Sequence, residues 1–159
     1  FIAGCATIQE ALATEEIRNF VKSVMKENAR YLIKEYGITA DEMNEYIEKT
    51  LKRHGNPSIS DSVFRVGRSP VRKLGYNERL TAPARKLYSM GMPVTHISKA
   101  VAEVFCFYNP EDGESVEIQD YIKEHGIKEA VKYFTKLKDD GLTDIIVKNY
   151  ELLKSSNKG

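Results

Sequence analysis

The chain has 159 residues, 42% hydrophobic and 30% charged, with 24 Lys and Arg against 23 Asp and Glu and a net charge of +1. That length suffices for one domain spanning residues 1–159 with a core of its own, and that balance of apolar and charged residues excludes a disordered chain. No apolar run approaches the roughly 20 residues of a spanning helix, so no membrane segment is expected. Phe1 is not an initiator Met, and FIAGCATI is too short and has no basic residue to act as a signal peptide. The chain is therefore expected to begin inside a longer or processed polypeptide. Cys5 and Cys106 stand apart with no ligand spacing, and read as incidental thiols of a cytoplasmic protein rather than a disulfide.

In chain order, Thr7 opens a short helical piece, IQEALA, and Thr14 caps a long helix with Glu15 and Glu16 in its first turn. Ile17, Phe20, Val21, Val24, Met25, Ala29, Leu32, Ile33 and Tyr36 recur at helical spacing, and Gly37 supplies a left-handed end. Thr39 caps the next helix, whose inner face is Met43, Tyr46, Ile47 and Leu51 and whose end is Gly55. Asn56-Pro57 breaks the pattern, and short helical turns are expected from Ser60 or Asp61 to Gly67 and from Ser69 onward. Asn77 is expected to cap a helix running to Met90, kinked at Pro83, with Gly91-Met92-Pro93 as a break. Val94, Ile97, Val101, Val104, Phe105 and Tyr108 mark the apolar stripe of a central core helix. Three amphipathic helices are expected at 114–125, 127–138 and 142–154, with Gly126 and Gly141 at the junctions. No segment alternates apolar and polar residues as a half-buried strand would. The fold class is all-α, with about eight to ten helices.

The chain has no glycine-rich phosphate loop and no G-x-S-x-G motif. His54, His96 and His125 lie far apart and fit helix ends or surface better than a metal site, so no metal is expected. The stretch NPSISDSVFRVGRSPVRK, residues 56–73, is different. From Arg53 to Asn77 the chain has Arg53, Arg65, Arg68, Arg72 and Lys73 against Asp61 alone, a local charge of +4 in a chain of +1. A helical turn there puts Arg65 and Arg68 on one face, with Asp61 one turn back to hold Arg65. Converging guanidinium and ammonium groups form a compact site for carboxylate or phosphate. The plainer alternative is a set of surface cations that cap helix ends and pair with acids elsewhere.

At these residues the sequence resembles a family. The pattern NP-x3-D-x3-RVGR-x-P-x-RKL, followed by NERL, is similar to the C-terminal domain of the polyol-specific long-chain dehydrogenases of the mannitol dehydrogenase family, in particular those acting on mannitol 1-phosphate. TIQEAL, the helix ending YLIKEYG, YIEK-x-LKR and the GMP before the apolar helix extend the resemblance over most of the chain. The resemblance implies a multi-helical domain of the 6-phosphogluconate dehydrogenase C-terminal-like type. It also implies an N-terminal Rossmann domain of the same polypeptide that binds NAD, and a lysine base in a K-x4-N-x2-H motif. That motif is absent here, so the isolated chain is expected to be inactive, with catalytic residues outside it. Arg65 and Lys73 match substrate-binding positions of the family, and Arg68 stands where relatives acting on unphosphorylated polyols tend to have histidine. A permanent cation in place of a titrating imidazole suits a phosphate-bearing substrate.

The substrate-binding set is therefore Arg65, Arg68 and Lys73, with Asp61 behind them; Arg53, Asn56 and Arg72 are weaker candidates. The expected partners are a sugar phosphate and the Rossmann domain, with no nucleic acid and no membrane. Two rivals remain: a uronate or free-polyol dehydrogenase, whose kinetics would prefer those substrates, and a non-enzymatic helical module for an anionic partner, whose binding would fall steeply with salt.

Overall fold

The computed structural model describes residues 8–54, 80–138 and 140–156. Eight helices occur among them: α1 (Ile8–Ala13), α2 (Glu15–Tyr36), α3 (Ala40–His54), α4 (Thr81–Ser89), α5 (Thr95–Cys106), α6 (Gly113–His125), α7 (Ile127–Thr135) and α8 (Asp140–Ser156). No strand occurs among the described residues, so the domain is all-α as the apolar periodicity requires.

The central element is α5, which meets α2, α4, α6 and α8. Its Ile97, Val101, Ala102, Val104 and Phe105 are buried, and they join Leu87 of α4, Ile118 of α6, Val131 of α7 and Leu142 and Ile146 of α8 in one core. Phe105 meets Phe134 edge-on, with centroids 6.4 Å apart. Tyr108 is not part of the stripe: it lies beyond the end of α5 and is 59% exposed. The helix ends at Cys106 because Phe107 turns to extended backbone, and Gln119 Nε2 donates to the carbonyls of Phe105 (2.7 Å) and Phe107 (3.2 Å). Those bonds satisfy carbonyls that a helix end leaves without partners.

The helix ends show which local signals were sufficient. Thr39 and Glu42 form a reciprocal capping box at α3, with Glu42 N–H donating to Thr39 Oγ1 at 3.1 Å and Thr39 N–H donating to Glu42 Oε2 at 3.0 Å. Gly37 closes α2 at φ 68°, the left-handed geometry that glycine adopts without strain. Thr14 occupies the cap position of α2, yet its hydroxyl donates backward to the Glu10 carbonyl at 3.3 Å and caps nothing.

Three boundaries differ from the sequence reading. Helix α4 begins at Thr81 rather than directly after Asn77, which lies outside the described residues. This places Pro83 in the first turn, where its missing N–H has no intrahelical partner to lose. Helix α7 stops at Thr135, three residues early, because Lys136 takes a left-handed φ of 59° and Leu137 N–H turns to Thr135 Oγ1 at 3.3 Å. Helix α8 starts at Asp140, so Gly141 lies inside its first turn and not at a junction.

Candidate functional site

Arg65, Arg68, Lys73 and Asp61, with Asn56 and Arg72, lie outside the described residues, as do the expected short helical turns between Ser60 and Lys73. The structure describes the elements on either side of that segment. Helix α3 leads into it and α4 leads out, and both pack on α2. An ion pair joins Lys22 of α2 to Glu48 of α3, and Lys86 of α4 binds Glu35 of α2 at 3.0 Å. The long helix is therefore contacted by both of the described helices that flank the basic stretch.

One residue of α2 does more than support. Glu27 is 2% exposed. Its Oε1 accepts from Ile97 N–H at 2.8 Å, and both of its oxygens accept from His96 N–H at 3.1 Å. Helix α5 needs this, because its own cap position is Val94, which has no side-chain acceptor. The carboxylate is supplied from another helix and sits at the positive end of the α5 dipole. The periodicity reading passed over Glu27. The signal was there, since Phe20, Val24, position 27 and Tyr31 form one helical stripe and an acid interrupts it.

Elsewhere three groups, Glu103 and Cys106 of α5 and Tyr150 of α8, are perturbed by burial and not activated. Burial raises the Cys106 thiol, with Lys154 partly opposing, and raises the Tyr150 phenol, with Cys106 adding to the effect. Both groups are thus kept protonated, which makes Cys106, a free thiol, a poor nucleophile at neutral pH. Burial also raises Glu103, with Lys99 opposing it. A carboxyl whose folded pKa lies above its unfolded value stabilises the fold below the unfolded value and loses that contribution as pH rises. Glu103→Gln is therefore expected to raise the melting temperature at pH 7 and to leave it nearly unchanged well below pH 4.5, where Glu103 is protonated in both states. Thermal unfolding at the two pH values checks this; an equal shift at both would assign the effect to packing instead.

No three His, Cys, Asp or Glu side chains gather as a metal site among the described residues, and no described helix is long and apolar enough to cross a membrane. His125 lies in the last turn of α6 as expected, with its ring 4.4 Å from that of Tyr121.

Comparison with known proteins gives a family match along almost the whole chain. Residues 1–154 match the family model described as the mannitol dehydrogenase C-terminal domain. The chain is 40% identical over 156 residues to a mannitol-1-phosphate 5-dehydrogenase of Exiguobacterium sp. (strain ATCC BAA-1283 / AT1b), covering 98% of this chain and 41% of that protein. It is 40% identical over 144 residues to the mannitol-1-phosphate 5-dehydrogenase of Geobacillus stearothermophilus, covering 90% of this chain and 38% of that protein. A third relative, the mannitol-1-phosphate 5-dehydrogenase of Halalkalibacterium halodurans, is 39% identical over 137 residues, or 86% of this chain and 37% of its own length. The chain thus spans about two fifths of the length of these relatives.

Proposed function

Because the chain belongs to the mannitol dehydrogenase C-terminal domain family, we propose that it is the substrate-binding helical domain of an NAD-dependent oxidoreductase that interconverts mannitol 1-phosphate and fructose 6-phosphate. The observation that carries this reading is the identity of about 40% along nearly the whole chain to proteins named mannitol-1-phosphate 5-dehydrogenase. Oxidation at C5 of mannitol 1-phosphate yields a ketohexose phosphate, which is fructose 6-phosphate in the ketose numbering. The C5 hydride leaves to the cofactor and the hydroxyl proton to a base.

This chain has neither a glycine-rich phosphate loop nor the K-x4-N-x2-H motif. Cofactor and lysine base are assigned to the remainder of the polypeptide, with a Rossmann domain preceding Phe1 as the partner. The present residues do the recognition. Arg68 neutralises the phosphate, Arg65 and Lys73 orient the hydroxyls, and Asp61 holds Arg65. Helices α3 and α4, which flank that segment in the chain, both pack on α2. The compartment is cytoplasmic, and the isolated chain is inactive.

Steady-state kinetics of the full-length protein test the reading. A charge-assisted hydrogen bond to phosphate contributes about 1.5–3 kcal/mol, and free mannitol cannot make it. The value of kcat/KM for mannitol 1-phosphate is therefore expected to exceed that for mannitol by at least about tenfold for each such bond. A preference for free mannitol, or for a uronate, would overturn it.

A further inference from the structure

The α4–α5 turn and α8 border an open cleft of about 720 Å³. Its walls are apolar, with Tyr88, Met92 and Pro93 on one side and Ile145 and Leu152 on the other. Leu152 is 59% exposed there.

The inner part of the cleft is polar and its geometry is held. Ser98 is fully buried, and its hydroxyl donates to the Thr95 carbonyl at 3.3 Å and accepts from Asn149 Nδ2 at 3.1 Å. The same amide nitrogen donates to the Ile145 carbonyl at 3.1 Å. Both donors of Asn149 are thus used, while its Oδ1 enters no hydrogen bond among the described residues. Lys148 also lines the cleft. The acid one turn back on α8, Asp144, is engaged by Lys128 of α7 at 3.2 Å, and Lys148 enters no ion pair among the described residues. In the opposite wall, Gly91 takes φ 70°, and Met92 N–H donates to the Leu87 carbonyl at 2.9 Å. Glu27 holds the next residues of the same stretch of chain through His96 and Ile97.

We propose that this cleft binds a small amphipathic anion: an apolar ring system against Tyr88, Met92 and Leu152, an anionic group on Lys148, and an N–H or O–H donated to Asn149 Oδ1. Lys148, unpaired among the described residues, selects the charge, and the apolar walls select against a bare sugar phosphate. The site uses none of Arg65, Arg68 or Lys73, so its failure leaves the sugar-phosphate reading intact.

The probe is 8-anilino-1-naphthalenesulfonate, which has two aromatic units, one N–H and one sulfonate, titrated into the full-length protein and followed by amide NMR. Saturable shifts are expected at Gly91, Met92, Thr95, Lys148 and Asn149. The neutral N-phenyl-1-naphthylamine is expected to bind at least about tenfold more weakly, a difference of one decade in Kd. Lys148→Glu, at an exposed position, is expected to weaken the anionic probe by a similar factor and leave the neutral one unchanged. Equal affinity for both probes, an unaffected Lys148→Glu variant, or shifts confined to other elements would each overturn the proposal.

Discussion

Arg68→His in the full-length protein is expected to lower kcat/KM for mannitol 1-phosphate by about 10- to 150-fold, the equivalent of one charge-assisted hydrogen bond. The effect should fall on the phosphorylated substrate alone, because the residue is proposed to meet the phosphate and not the reacting carbon. Activity on free mannitol should stay within about threefold, well under the tenfold that 1.4 kcal/mol represents. A histidine also brings a titration that arginine lacks. With an unperturbed pKa near 6.5, the imidazole is largely neutral at pH 8 and largely charged at pH 6. The variant's deficit relative to the parent should therefore shrink as pH falls over that range. The parent measured in parallel accounts for the phosphate's own titration near pH 6. Arg72→Ala, a few residues away, serves as the comparison and should change the substrate ratio little. A variant that keeps the parent's discrimination between mannitol and its phosphate would remove Arg68 from the phosphate site.

Glu27→Ala is expected to destabilise the domain by about 3 kcal/mol, since it leaves the His96 and Ile97 N–H groups without acceptors, one of them buried, at about 1–3 kcal/mol each. For a chain of this size that corresponds to a melting temperature lower by about 6–12 °C. Glu27→Gln separates the charge from the shape. Its amide offers one acceptor where both carboxylate oxygens now accept from His96 N–H, and its NH₂ group would face a donor. It also removes the negative charge at the start of α5, worth about 0.3–1 kcal/mol and more where buried. An intermediate loss of about 1–2 kcal/mol is expected. Chemical denaturation of the three proteins decides the matter, with amide exchange at the start of α5 as the local readout. If Glu27→Ala unfolds within about 0.5 kcal/mol of the parent, a surface-like effect, the cross-helix cap is not what holds α5 in place.

The helices themselves were readable because their information is local. Apolar spacing placed α2, α5 and α8, and Thr39-x-x-Glu42 and Gly37 marked ends whose chemistry is completed within a few residues. The readings that failed were those in which a distant group decides or no local marker exists. Lys136 ends α7 in a left-handed conformation with no glycine to announce it. Tyr108 has the spacing of a core residue and stands exposed, because Gln119 of α6 closes α5 before it. For the family, the motif was sufficient: NP-x3-D-x3-RVGR-x-P-x-RKL resembles the mannitol dehydrogenase C-terminal domain, and the family match over residues 1–154 agrees.

By itself, then, the sequence determined an all-α domain, its family, and the local knot of cations proposed to meet the substrate. These rest on periodicity, caps and a contiguous motif, each expressed over a few neighbouring residues. Only the tertiary structure decided that Glu27 caps a helix about 70 residues away. It likewise decided that Asp144 turns to Lys128 and leaves Lys148 beside an apolar cleft. Partners so distant in sequence are chosen by how α2, α5, α7 and α8 pack, and a linear pattern does not encode that choice.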